Sequence, residues 1–502
     1  MFKFSARTIL ELGSELISSD IIAFYELVKN AFDAKSKNGA EIRFQVVLRR
    51  NIYQRIRRIA QTKVDETTSR QRQVVLELVS ELEKSLDPSV DSTLIEDFKS
   101  TIAEATDIKS LIDRLDDAYR RLNTIEISDT GTGMSLKELS DNYLTIGTPS
   151  RKQEVDRALK SGEKKTPYLG EKGIGRLSVM RLGEYLDLRT AKKEDGRFNL
   201  LQINWKDFSK LDALISDVKI SPSAGARKPQ ADWSGTRIII GDLSEDWTES
   251  RVKDIAEDFA RITDPFDDPK HRARIAIFWN GDRVAIPWLD KALLENAHAK
   301  ISAKYSLVED VPTLAVTLEA FNLGYKHPRE IEVSKLQGSD LESLVSGLKQ
   351  DVPLDALDSV GPFSIDAYWY NRRHLAGIDS IGKQKAVRDL HRKWSGIRVY
   401  RDGFRVFPYG DESDDWLGLD RKALARPGYV LNKAQFVGRV LISRMGNQYL
   451  VDQTNREGLR DSPEYQVFLR LLQHIVSYML WSFFRNLDSQ YKKQSIDLGD
   501  VK

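Results

Sequence analysis

A chain of 502 residues exceeds what one ordinary hydrophobic core holds, so two packed domains with an appendage are expected. Hydrophobic residues at 41% and charged residues at 30% fit folded domains and leave little room for extended disorder. Seventy-seven basic against 75 acidic residues exclude a global electrostatic case for nucleic acid or membranes, and the lack of cysteine excludes disulfides, thiolate metal sites and cysteine nucleophiles. Six scattered histidines without an HExxH pattern argue against an imidazole metal site. The charged N-terminus does not read as a signal peptide, and the longest apolar run, 475–484, is about half of a bilayer span. A cytoplasmic protein with no membrane partner is expected.

Apolar spacing predicts helices over 6–17 and 20–34, with Ser18 and Ser19 as candidate caps, and then a strand over 41–48. A charged helical stretch, 51–122, broken at Asp87-Pro88-Ser89, predicts a helical hairpin. A strand over 124–128 runs into Asp129-Thr130-Gly131-Thr132-Gly133-Met134. A turn-rich segment, 147–165, leads into Gly170-Glu171-Lys172-Gly173-Ile174-Gly175-Arg176 ahead of a helix. Strands over 185–190, 200–205 and 235–240 and a helix over 249–262 complete a first domain, 1–262. Strands over 274–279, 313–320, 363–370, 397–401 and 438–443 are assigned to a second α+β domain, 263–461. Ser462-Pro463-Glu464 then starts a helix, apolar around much of its circumference, in a C-terminal segment 462–502.

Three elements carry chemistry. Glu26, Asn30 and Asp33 fall on one face of the second helix, an arrangement suited to holding a hydrated cation and positioning a water, though also found on any exposed polar helix face. Asp129 ends a strand in a turn where Gly131 and Gly133 let the backbone approach a flat ligand; a plain turn aspartate is the alternative. Gly170, Gly173 and Gly175 precede a helix and leave N–H groups free for phosphate oxygens, without forming a Walker A loop or a Rossmann unit.

In order, spacing and flanking structure these elements resemble the GHKL superfamily of gyrase, heat-shock chaperone, histidine-kinase and mismatch-repair ATPases, and Trp233-Ser234-Gly235-Thr236 resembles the glycine-threonine pair near the family's adenine. The resemblance implies an α+β Bergerat-fold domain binding ATP and Mg²⁺, followed by a transducer-like domain. By that resemblance Glu26 is the general base, Asn30 a Mg²⁺ ligand, Asp33 a support for the pocket and Asp129 the acceptor of the adenine amine. Gly131, Gly133, Met134 and Thr236 would shape the adenine pocket, and Gly170, Lys172, Gly173, Ile174 and Gly175 the phosphate-covering lid. The segment Gln453-Thr454-Asn455-Arg456-Glu457 resembles the chaperone's catalytic-loop arginine, which makes Arg456 a candidate ligand of the γ-phosphate or an ordinary surface arginine.

The stretch 396–404 is reminiscent of bacterial chaperone-like and microrchidia-type ATPases. That likeness supports only the assignment of the second domain; the superfamily resemblance implies a homodimeric ATP-operated clamp on DNA or a DNA-associated partner, with a role in bacterial defence. A chaperone-like remodelling module or an ATP-binding switch subunit of a protein effector is the alternative. The arm at 51–122 departs from the family path, and neither a phosphoacceptor helix nor a metal-binding cleavage domain is evident, so a histidine kinase or a self-contained topoisomerase is not expected. Basic clusters at Arg49, Arg50, Arg55, Arg57 and Arg58, and at Lys383, Lys385, Arg388, Arg392 and Lys393, are either phosphate contacts or solvated helix faces.

Overall fold

The computed structural model describes residues 4–145, 150–163, 166–170, 175–209, 214–268, 270, 274–321, 323, 329–346, 352–425, 431–453 and 457–497. The chain is α+β and forms two compact units. The first comprises residues 1–158, 167–260 and 273–287, and the second 159–166, 261–272 and 288–502.

The first unit is built on a sheet that has eight strands among the described residues: β1 (Ala40–Gln45), β2 (Thr124–Asp129), β3 (Gly183–Ala191), β4 (Arg197–Asn204), β5 (Ser223–Arg227), β6 (Gly235–Leu243), β7 (Ile275–Trp279) and β8 (Asp282–Val284), in the order β5-β4-β3-β6-β2-β1-β7-β8. Helices α1 (Arg7–Leu16) and α2 (Asp20–Asp33) precede it. Strand 275–279, expected in the second domain, pairs in parallel with β1 from Ala40↔Ile275 to Phe44↔Trp279. The edge of β1 not taken by β2 is open to a distant apolar strand, a pairing to which local sequence pattern is blind.

β1 and β2 pair antiparallel from Ala40↔Asp129 to Gln45↔Thr124, and the whole helical arm is inserted between them. It has four helices, not the expected hairpin: α3 (Arg50–Thr62), α4 (Thr68–Lys84), α5 (Ser92–Ala103) and α6 (Ile108–Leu122). The additional breaks at 63–67 and 104–107 lack glycine and proline. Before α6 the break is set by Asp107, whose side chain accepts the Ser110 N–H at 2.8 Å, the bond that caps a helix N-terminus. The four helices enclose their own core, with Ile56, Leu82, Phe98, Ile102, Leu111 and Leu115 at 0% exposure. The basic residues of the arm are largely spent on carboxylates: Arg49 pairs with Asp246, Arg55 with Glu81, and Arg57 with Asp116 at 2.8 Å.

In the second unit β9 (Ala299–Val308), β10 (Val311–Ala320), β11 (Glu330–Gln337), β12 (Phe363–Trp369), β13 (Gly396–Arg401), β14 (Phe404–Val406) and β15 (Phe436–Ile442) follow the order β11-β10-β9-β12-β15-β13-β14. All neighbours are antiparallel except β13 and β15. The C-terminal helical run begins at Pro463, with Ser462 accepting the Tyr465 N–H at 3.2 Å. Its apolar circumference is covered by its own unit: Phe468 packs edge-on against Phe363 at 5.1 Å, and Phe484 meets Trp369 at 4.7 Å. Residues 463–491 have the length and composition to cross a membrane, but most of that helix is buried in this core.

Phe468 is fully buried between the helix and the sheet. Phe468→Ala is therefore expected to cost the second unit about 3–5 kcal/mol, the range for an aromatic deleted from a packed core. Denaturant unfolding measures it, and a loss under about 1 kcal/mol would show that the helix is not part of this core.

Candidate functional site

Three stretches distant in sequence meet at α2. The helix starts where the Ser19 hydroxyl accepts the Ile22 N–H at 3.4 Å, and Asp20 in the first turn complements the helix dipole. Asp20 also pairs with Arg181 at 2.9 Å and Arg251 at 2.6 Å. Phe24 anchors the apolar face, packing on Phe44 at 5.6 Å, Trp247 at 5.9 Å and Phe259 at 6.1 Å. A helix pinned on that side turns Glu26, Asn30 and Asp33 the other way.

The two oxygens of Asp33 accept the main-chain N–H groups of Leu169, at 2.6 Å, and Gly170, at 3.1 Å. One residue further, the Ala34 carbonyl accepts the Thr132 N–H at 2.9 Å, and Ser36 Oγ accepts that of Thr130 at 3.0 Å. The end of α2 thus ties down both the Asp129 turn and the start of the glycine-rich stretch. Close approach requires glycine at 131, because a Cβ there would stand 2.5 Å from the Ala34 carbonyl oxygen. Gly133 has φ +67° and lies against Ala191, where a Cβ would come within 1.9 Å of the carbonyl oxygen.

Asp129 closes β2 opposite Thr236 of β6. Its Oδ1 accepts the Gly131 N–H at 2.7 Å, yet burial pushes the carboxyl up to about 6 despite that bond and one from the Thr236 backbone. Thr236 is buried with its hydroxyl 3.0 Å from that of Thr190, which accepts the Met134 N–H at 2.9 Å. On the other side of α2, Glu26 is 5% exposed and its Oε1 lies 3.7 Å from Lys29 Nζ. Gly175, which opens the turn Gly175–Ser178, faces it: a Cβ there would sit 3.1 Å from Glu26 Oε2 and 3.7 Å from the Asn30 side-chain nitrogen.

Glu26, Asn30, Asp33, Asp129, Gly131, Gly133, Met134, Gly170, Gly175 and Thr236 are therefore linked through one set of contacts. Lys172, Gly173, Ile174 and Arg456 lie outside the described residues. Three participants escaped the sequence reading. Thr190 is recognisable only once β3 is paired with β6, which sets it opposite Thr236. Asn199 donates to the Met134 carbonyl at 2.9 Å from β4. Arg176 donates to the main-chain carbonyls of Asn142, Tyr143 and Thr145, the last at 2.8 Å; its position directly after Gly175 was the available signal.

Residues 99–236 match the family of histidine kinase-, DNA gyrase B-, and HSP90-like ATPases. With the fold and the assembled motifs, this match supports a GHKL-type ATPase domain in that part of the chain. The matched residues take in the Asp129 turn, the glycines from 170 to 175 and Thr236, while α2 precedes them. Over 146 residues the chain is 28% identical to the mitochondrial heat shock protein 75 kDa of Bos taurus, a match that spans 28% of this chain and only 18% of that protein.

The raised carboxyl of Asp129 has a thermodynamic signature. The native state keeps its proton to about pH 6, whereas the unfolded chain releases it near 3.8, so stability from the protonated form is present below about pH 4 and lost as pH rises through 6. Asp129→Asn, with no proton to release, is expected to flatten that fall. Denaturation at a series of pH values between 4 and 8 measures the difference between the two proteins, and a pH-independent difference would contradict the assigned burial.

Proposed function

We propose that the first unit binds ATP with Mg²⁺ and hydrolyses it, and that the cycle drives a conformational change through which the second unit acts on a partner. The observation that carries this reading is the double anchor of Asp33 on Leu169 and Gly170, which brings the phosphate-facing glycine stretch to the helix bearing Glu26 and Asn30. The residues fit the ligands. Asp129 offers a carboxylate to an exocyclic amine, and Glu26 and Asn30 place a carboxylate and an amide beside the Gly175 main chain. Among the described residues no three carboxylates or histidines converge on a metal position, so the cation would take few protein ligands and lean on phosphate oxygens.

When bound, the nucleotide supplies the transferable phosphoryl group and Mg²⁺ neutralises charge on it. Asn30 would give its amide oxygen to the cation, and Glu26 would take the proton of the attacking water. Lys29 Nζ stands 3.7 Å from Glu26 Oε1. Gly131, Gly133, Met134 and Thr236 would shape the adenine end. Gly170, Lys172, Gly173, Ile174 and Gly175 would cover the phosphates, and Arg456 would reach the γ-phosphate.

For the partner, the finer reading is a homodimeric clamp on DNA or on a DNA-associated protein. Pairing of Arg49, Arg55 and Arg57 with carboxylates removes most of the support from the arm, and leaves the exposed Lys383, Lys385, Arg388 and Arg392 on and beside the helix Gln384–Trp394. A protein-remodelling cycle is the second reading, favoured by the similarity to the heat shock protein.

Glu26→Ala is expected to reduce ATP turnover by roughly 10²–10⁴-fold, the usual contribution of a positioned general base, while nucleotide binding persists. Steady-state hydrolysis and equilibrium binding, run on both proteins with and without duplex DNA, measure it. Undiminished turnover in Glu26→Ala removes Glu26 as the base, and binding without turnover in either protein reduces the chain to a nucleotide switch.

A further inference from the structure

A cavity of about 330 Å³ lies wholly within the second unit. Six cationic side chains line it: Arg261, Arg372, Arg392, Lys393, Arg398 and Lys433. None of the residues in the proposed ATP site takes part.

Arg398 is the unusual member. It projects from β13 with 3% of its surface exposed, and its guanidinium donates to the carbonyls of Trp394, at 2.8 Å, and Ser395, at 2.9 Å, at the end of the helix Gln384–Trp394. Its Nε is buried and finds no acceptor among the described residues. No carboxylate pairs with it there either. Carbonyl oxygens satisfy N–H groups but carry no net charge, so the desolvated cation has Asp411 acting on it only through space, a costly arrangement for a side chain that does not give up its proton readily. Burial, with the like charges of Arg405 and Arg261, outweighs the opposing influence of Tyr400 and Asp411 and disfavours the charged form of Arg398.

Three of the other five cations also donate to main-chain carbonyls. Arg261 donates to the Lys393 carbonyl at 3.1 Å, Arg372 to that of Ala434 at 2.9 Å and Lys433 to that of Glu412 at 2.6 Å. Lys433 also has Asp420 at 3.8 Å, and Arg392 has Asp389 at 3.4 Å.

Four carboxylates share the wall, Asp411, Glu412, Asp414 and Asp415. Asp411 is committed to Arg405, Asp414 to the Gly410 N–H at 3.2 Å, and Asp415 to the N–H groups of Leu419 at 2.8 Å and Arg421 at 3.1 Å. Burial pushes the Asp414 carboxyl up, toward the neutral form. Six cations against four carboxylates leave a formal surplus of two positive charges on the lining.

We propose that this cavity binds a small phosphate-bearing anion, with Arg398 as its buried anchor and Arg372 and Arg392 closing on it from the rim. The volume sits at the low end of small-molecule sites, roughly 300–1,000 Å³, which suits a phosphate group with a small organic remainder. Guanidinium groups match the oxygen geometry of phosphate, and Ile397, Trp416 and Leu417 offer apolar contact to the remainder. This inference is independent of the ATPase reading.

The test uses the full chain and titration calorimetry with orthophosphate and with ribose 5-phosphate, which carries no adenine, at ionic strength held constant with chloride. Saturable binding is expected, and the exposed rim pair Arg372→Ala/Arg392→Ala, which spares the core, is expected to weaken it at least tenfold. Asp129→Asn, altered in the first unit, is expected to leave it unchanged. Tighter binding of the sugar phosphate than of orthophosphate would assign a phosphate carrying an organic remainder, and equal affinities would assign free phosphate. No saturable binding of either anion by the folded chain, binding undiminished in the rim variant, or binding lost in Asp129→Asn would each overturn the proposal.

Discussion

The bond pair from Asp33 to the N–H groups of Leu169 and Gly170 is the constraint on which the candidate site depends. A carboxylate that accepts two main-chain N–H groups fixes the position of that main chain more firmly than a single neutral bond would. The next carbonyl on the helix, that of Ala34, holds Thr132 and hence the turn that carries Asp129. One helix end thereby sets the spacing between the Asp129 turn and the start of the glycine-rich stretch. The aromatic cluster of Phe24, Phe44, Trp247 and Phe259 keeps that helix end in register with the sheet.

This geometry also explains how the arm can be inserted without disturbing the site. β1 and β2 remain a regular antiparallel pair on either side of it, and the arm encloses a core of its own. An insertion that carries its own hydrophobic core adds little strain to the sheet it interrupts. The site is made at the Ala40↔Asp129 end of the pair, whereas the arm leaves from the Gln45↔Thr124 end. In the second unit Arg398 is buried with its guanidinium donating to the carbonyls of Trp394 and Ser395.

Local signals were legible in the sequence wherever the chemistry is local. The polar stripe of Glu26, Asn30 and Asp33 follows from helical period, the cap at Ser19 from residue type, and the Asp129 turn from its glycines. Long-range pairings were not: the parallel partnership of β7 with β1, and the meeting of Thr190 with Thr236, depend on strands that sequence order keeps apart. The arm was misread because its extra turns are made by aspartate, glutamate and threonine, which propensity alone places inside helices as readily as between them. β9 and β11 escape the pattern because lysine and serine alternate along β9 and glutamate, serine and lysine break up β11, whose Ile331 and Val333 stand exposed at the sheet edge.

We propose that three distant stretches form one nucleotide pocket organised by Asp33. Amide hydrogen exchange of the full chain with and without Mg²⁺-ATP tests it most directly, with Asp33→Ala as the second protein. The account predicts that nucleotide slows exchange together in 26–34, 129–134 and 166–170, and that Asp33→Ala loses the protection at 169–170 first. Protection confined to one of these stretches, or unaltered in Asp33→Ala, would contradict it.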